Sequence, residues 1–413
     1  MVSLARPGRS GRDVIAAVAG TVVCASPVFL VGALAVQVRA SLHFGASALG
    51  VVAALYYLGA GISSIPLGRA TDALGGLRMM RIAALVSAMT LLAVALFARS
   101  LTTLALVMVP AGIASAAMQP AANVFLSRRV AKERQGLAFG IKQSAVPLAA
   151  MLGGLAVPAI ALTIGWRFAF VLVGLLALGV ALGLPRPRQS LSARRSARSE
   201  MAAPPLVRGP VVVLALGLGL GVASAGALTA FLVSSAVAGG LGRSEAGMLA
   251  AFGGAVAVAS RILVGKQADR RARAHLPRVA LFLALGALGY GALALISARH
   301  LLAWYFPVVA VVFAAGWGWN GLFNFALIRT HPEQAAHVTG ITQAGGRFGG
   351  MLGPLAFGMI VDHTSYGLAW LVTGLTAITA AATVMVGRHL LTASRQHTAP
   401  LLSPPERSPA VGS

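Results

Sequence analysis

The chain has 413 residues, 58% of them hydrophobic and only 10% charged, with a mean hydropathy of +0.84 and a net charge of +24. Soluble domains carry roughly 25% charged residues, so this composition excludes a water-soluble globular fold. The single cysteine, Cys24, leaves no disulfide framework and no cysteine metal site. The basic residues lie in short links between apolar runs, which reads as membrane loops and not as a nucleic-acid surface.

The first apolar run, near 14–38, exceeds the roughly 7–15 residues of a signal-peptide core and is followed by many similar runs, so it reads as a retained helix. Further runs fall near 46–67, 79–98, 101–126, 136–160 and 166–184, then 210–238, 245–264, 278–298, 301–327, 337–361 and 366–387. Backbone polar groups in lipid need internal partners, so runs of this length are helices. The expected fold is an all-α membrane protein of twelve transmembrane helices in two pseudo-symmetric six-helix bundles, residues 1–184 and 210–390. Between them lies a polar linker, 185–209, with Arg186, Arg188, Arg194, Arg195 and Arg198. The segment 391–413, rich in Ser and Pro, reads as a disordered tail.

Orientation follows from the 33 Lys and Arg residues. With the N-terminus inside, 25 lie on cytoplasmic segments and five (Arg39, Arg99, Arg167, Arg243, Arg299) lie outside. The remaining three, Lys142, Arg261 and Arg347, lie within apolar runs. A five-to-one bias places both termini in the cytoplasm of a multi-pass inner-membrane protein.

The two halves repeat. Arg129, Glu133, Gly140-Ile141, Gln143, Met151-Leu152-Gly153 and Gly174-Leu175 recur 200 residues later as Arg329, Glu333, Gly340-Ile341, Gln343, Met351-Leu352-Gly353 and Gly374-Leu375. An even helix count per repeat gives both copies the same orientation, related by an axis along the membrane normal. After the second run the chain reads Gly68-Arg-Ala-Thr-Asp72-Ala-Leu-Gly75, then Arg78. After the eighth it reads Gly265-Lys-Gln-Ala-Asp269-Arg270. Both resemble the Gly-x-x-x-Asp-Arg-x-Gly signature of the major facilitator superfamily, with Ala73 at the family's first basic position and no final Gly in the second copy. The resemblance covers residues 10–390 and implies an alternating-access secondary transporter with its site between the halves. In loops at helix ends, Asp72 and Asp269 are expected to pair with bases or with a helix N-terminus of the opposite half, closing the cytoplasmic side.

All nine acids (Asp13, Asp72, Glu133, Glu200, Glu245, Asp269, Glu333, Asp362, Glu406) fall in loops, termini or helix ends. Embedded cations cost roughly 2.5–3.5 kcal/mol each and normally face a cavity or a partner. Arg261, near the cytoplasmic end of its run, is expected to snorkel. Lys142 and Arg347 lie deeper, in repeat-equivalent helices without an acid to pair with, so an anionic substrate is their expected ligand. Gln343, Arg347 and Pro354 share a helix face, and Gln143, Asn320, Asn324 and Trp317 are further candidates for the site. The run Gly349-Gly350-Met-Leu-Gly353-Pro354 resembles the family's Gly-Pro motif at the half–half interface, whereas in the fifth helix the proline is displaced to Pro147.

The expected function is secondary transport of a small organic anion, carboxylate-like, by a monomer in the bilayer. Proton cotransport, exchange and uniport are all open as drive modes. The alternative is an efflux pump for lipophilic drugs or metabolites. Gly217-Leu-Gly219-Leu-Gly221 lies in an apolar helix with no preceding strand, and no Walker motif occurs, so no nucleotide, cofactor or metal is expected. No acid–base or nucleophile cluster lies at depth, so an enzyme is not expected either.

Overall fold

The computed structural model describes residues 7–185, 208–270, 275–330 and 335–398. Among them every regular element is helical. Eleven helices are long and apolar enough to cross a membrane. A twelfth, Ala335–His363, is as long but carries Gln343, Arg347, Pro354 and many glycines. Polar groups in the eleventh of twelve spans mark it as a helix whose face is turned away from lipid.

The spans of the first half are Pro7–Ala33 continued by Ala35–Leu42, then Ala46–Leu74, Gly76–Phe97, Leu101–Arg129, a broken fifth helix and Trp166–Gly183. The fifth runs as Lys132–Gln143, Ala145–Ala156 and a wide turn at Val157–Ala161. The second half has Arg208–Ala238, Arg243–Arg270, His275–Arg299, an irregular tenth helix ending in Trp319–Thr330, then Ala335–His363 and Tyr366–Thr398. With twelve spans, both ends of the chain lie on one face, here termed the terminal face. The other is the opposite face.

Several boundaries differ from expectation. The second helix continues to Leu74, so Gly68 to Asp72 lie on its last two turns and not in a loop, and the chain turns only at Gly75, whose φ of +85° suits glycine. The eighth helix likewise runs through Arg270. The twelfth runs to Thr398 instead of ending at residue 391, since no helix breaker occurs before Pro400. Hydropathy stops where lipid stops, whereas a helix stops where its backbone geometry fails. The linker 186–207 and the tail 399–413 lie outside the described residues.

Packing repeats between the halves. The first helix packs on the fifth as the seventh does on the eleventh, and the third packs on the sixth as the ninth does on the twelfth. Two seams join the halves, second helix to eleventh and fifth to eighth, with the first helix also against the seventh. Glycines allow the backbones to approach closely in these seams. A Cβ at Gly50 would lie 2.5 Å from the Pro354 carbonyl oxygen, and one at Gly254 would lie 2.6 Å from the Met151 nitrogen. Gly358 sits against Ala46, and Gly154 against Ala251.

Both seams are tight toward the opposite face and end partway across. The second–eleventh seam reaches Gly61, where an added Cβ would lie 3.5 Å from the Cβ of Arg347. Beyond it Gly68 and Gly340 each border open space, and so does Gly140 on the fifth helix. At the opposite face the Asp362 carboxylate accepts hydrogen bonds from the backbone N–H groups of Ala46 (2.8 Å) and Ser47 (2.7 Å), and Arg39 donates to the Tyr366 hydroxyl (3.3 Å). The molecule is therefore closed at the opposite face, with a cleft between the halves open to the terminal face.

Candidate functional site

Among the described residues no carboxylate lies inside the membrane-spanning core. Asp13 pairs with Arg129 (3.4 Å), Asp362 caps the second helix, Glu245 accepts from the Gly242 N–H, and Asp72 is exposed. Of the three embedded cations, two therefore find neutral partners and one finds none among the described residues.

The fifth helix breaks at Ser144, and Pro147 is the reason. In a helix the N–H of residue 147 would donate to the carbonyl of residue 143, but proline has none, and its ring crowds that carbonyl. The freed Gln143 oxygen instead accepts from Nη1 of Arg261, on the eighth helix of the other half, at 2.7 Å. An unpaired buried carbonyl would cost roughly 1–3 kcal/mol, so this bond offsets a real penalty. Arg261 thus turns inward across the interface and does not snorkel, contrary to the expectation from its position near a helix end. Its guanidinium also lies over Trp317, 5.4 Å from the ring centroid. Trp317, buried, meets Phe29 of the first helix and Phe313 edge-on.

Lys142, one residue before that carbonyl, is 1% exposed and its ammonium donates to Oε1 of Gln119 on the fourth helix. Both cations thus gather at the C-terminal end of the segment Lys132–Gln143, where helix carbonyls concentrate negative potential. A broken helix supplies here what a carboxylate supplies in other membrane cores.

Arg347 is the exception. Its helix is continuous, and it makes no hydrogen bond or ion pair among the described residues. Gly345, Gly349 and Gly353 press that helix onto Ala215, Gly219 and Ala223 of the seventh. The face carrying Arg347, Gly350, Pro354 and Gly358 is thereby turned to the second helix. Arg347 is the last residue of that face before the cleft opens. Tyr56 and Tyr57 lie on the second helix, which that face meets. The Tyr56 hydroxyl donates to the Cys24 carbonyl (3.3 Å), whereas the half-buried Tyr57 lays its ring against Gly350.

One turn from Arg347, Gln343 donates to Oδ1 of Asn324 (3.1 Å), and Asn324 in turn donates to Asn320 (3.1 Å). Gln343, Asn324 and Asn320 thus form one half-buried polar chain beside Arg347. Gln143 belongs to the other seam, where its backbone oxygen carries the visible contact. Lys142 and Trp317 are brought to that second seam as well, not to Arg347.

Of the signature residues, Asp72 and Arg78 are exposed, and Gly68 borders open space. Asp72 has no ion pair or hydrogen bond among the described residues. Arg81 donates to the carbonyls of Ala181, Leu184 and Pro185, capping the sixth helix. The side chains of Gly265, Asp269 and Arg270 lie outside the described residues. Gln119 and the tie made by Asp362 escaped the sequence. The signal for the Arg261 contact was present in Pro147, four residues after Gln143.

The family model described as Major Facilitator Superfamily matches residues 16–354. An MFS-type efflux pump of Mycolicibacterium smegmatis is 28% identical over 274 residues, a stretch that covers 63% of each chain. The chain thus matches under two thirds of that relative's length. Among solved structures, a bacterial homolog of the human lysosomal transporter Spinster, in an inward-facing and occupied conformation, aligns with a TM-score of 0.71 at 18% identity over 93% of this chain and 97% of that one. Its inward-facing, unoccupied form aligns with a TM-score of 0.67, also at 18% identity, over 94% and 98%. At that identity the likeness is one of fold.

Proposed function

The chain belongs to the major facilitator superfamily, and we propose that it is a secondary transporter of small organic anions, working by alternating access with both termini in the cytoplasm. The observation that carries this reading is Arg347: a guanidinium at the closed end of the cleft, with no acid and no hydrogen-bond acceptor among the described residues. A planar fork of donors suits a carboxylate, which it binds through two parallel hydrogen bonds. Tyr57 and the amide chain Gln343–Asn324–Asn320 supply neutral polar contacts around it. Lys142, held by Gln119, adds its charge to the field of the cleft from the other half.

In this reading the half carrying Arg347 moves relative to the second helix as the cleft changes sides, and the bound anion is the charge partner that the core lacks. Asp72 and Asp269 act when the terminal face closes. The transporter is read as a monomer. Export of lipophilic compounds is the second reading, favoured by the efflux-pump relative, and it makes the embedded cations structural.

Thermal-shift titration separates the two, using a panel of aliphatic and aromatic carboxylates beside lipophilic cations on purified protein. Stabilisation by a carboxylate class, lost in Arg347→Ala and weakened in Lys142→Ala, is the expected result. Stabilisation by lipophilic cations alone, unchanged in both variants, would overturn the anion reading in favour of export.

A further inference from the structure

The bond between Arg261 and the Gln143 carbonyl does more than satisfy a buried oxygen. It is the last tie of the fifth–eighth seam before the cleft. Toward the opposite face that seam is continuous, through Gly254 against Met151, Gly154 against Ala251 and Gly247 against Val157. One turn toward the terminal face from Gln143, Gly140 borders open space. Toward the opposite face the seam is packed, whereas on the other side the fifth helix borders open space at Gly140 while Ala138 and Phe139 stay packed within its own half.

Two features fit this tie to movement. The acceptor is permanent, because Pro147 leaves the Gln143 carbonyl without a helical donor whatever the halves do relative to each other. The donor is long and planar, with a second N–H to offer: Nε of Arg261 is buried without a partner. A guanidinium can therefore rotate over the Trp317 ring and exchange one N–H for another while its helix tilts. Trp317 is itself anchored on Phe29 of the other half, 5.8 Å between ring centroids.

We propose that Arg261 and the Gln143 carbonyl form the pivot of the fifth–eighth seam, a hydrogen bond kept while the packing on either side of it opens and closes. This rests on the alternating-access part of the proposed function and is independent of the substrate. Arg261 is a positioning residue: it guides the motion of the halves and need not touch what is carried.

The test places spin labels on Arg128→Cys and Arg388→Cys, exposed at the terminal face of the first and second halves and outside the seams, in a Cys24→Ala chain and reads their distances by pulsed electron resonance, with thermal stability measured in parallel. The parent chain is expected to give two resolved distances, terminal face open and terminal face closed. A single distance in the parent under all conditions would overturn alternating access and the pivot together. Arg261→Met is expected to lose stability and to blur the two distances into one broad distribution. Arg261→Lys, which keeps a donor, is expected to retain both distances with altered populations. The decisive variant adds Pro147→Ala to Arg261→Met, returning a helical N–H to the Gln143 carbonyl. Recovered stability without recovered two-state distances supports the pivot. Recovery of both means that Arg261 only satisfies the carbonyl and overturns the proposal, as do parent-like distances in Arg261→Met. Should Arg261→Met not fold, the double variant carries the same decision.

Discussion

The two ends of the interface between the halves use the same helices and differ in what holds them. At the opposite face, bare backbone meets bare backbone at Gly50, Gly358 and Gly154, and a carboxylate from one half, Asp362, occupies the first N–H groups of a helix in the other. At the terminal face Gly68, Gly140 and Gly340 border open space, and Asp72 stands exposed. The carboxylate-to-helix contact expected of the signature acid is thus made in this conformation, but by Asp362 at the other end. Closure at one end therefore calls on small residues and one charged cap. The other end carries the same two kinds of part, not engaged.

The largest effect should come from filling the closed end. Leucine at Gly50 would drive its Cβ to 2.5 Å from the Pro354 oxygen and 2.9 Å from the Leu355 Cα, and backbone cannot yield as a side chain can. Overpacking of this kind costs about 1–3 kcal/mol or more, enough to invert a two-state balance of a few kcal/mol. Gly50→Leu is expected to close the terminal face and to abolish transport. A cysteine at Gly340 in a Cys24→Ala background, probed with a membrane-impermeant maleimide from the terminal side, should lose its reactivity. Unchanged labelling would mean that the closed seam is not what keeps the cleft open on this side.

A smaller effect is expected from Asp362→Ala. It removes a cap worth about 0.5–2 kcal/mol without adding volume, so the open-to-closed ratio at the terminal face should fall about fivefold for a loss near 1 kcal/mol. The same maleimide assay reads it as a partial decrease. No decrease would show that the glycine seam alone holds the opposite face.

How much of this was legible in the sequence depends on the range of the signal. Twelve spans follow from hydropathy, because lipid imposes their length, and the 200-residue repeat marks the equivalent helices of the two halves. The last turns at Gly68–Leu74 and 392–398 did not, since helices run on past the lipid through polar residues. Arg347, Gln343 and Pro354 share a face by simple helical spacing, and the chain from Gln343 to Asn324 fits their grouping. The Gln119–Lys142 contact joins two helices through rotations that spacing does not fix. Arg261 was misread because depth from a helix end says nothing about which way a side chain turns. Only Pro147, read as a missing donor to Gln143, pointed inward. Asp362 and its partners at Ala46 and Ser47 lie at distant points of the chain, where no periodicity reaches.

The smallest effect is expected where the sequence signal was loudest. In this conformation Asp72 is exposed and contacts nothing that its charge would hold, so Asp72→Asn should leave fold and stability unchanged. Under the proposed alternating access its charge would act on the other state, in which the terminal face closes and a carboxylate near helix ends contributes about 0.3–1 kcal/mol. Weakening a less populated state by that amount moves an open majority only slightly further open. Maleimide labelling at Gly340→Cys should therefore stay at the parent rate or rise marginally, the opposite sign to Asp362→Ala. Transport should slow in the step that closes the terminal face, which Asp362→Ala should not retard. A clear fall in labelling with Asp72→Asn would place the signature acid among the contacts that hold the cleft open, and the two ends would then not be counterparts.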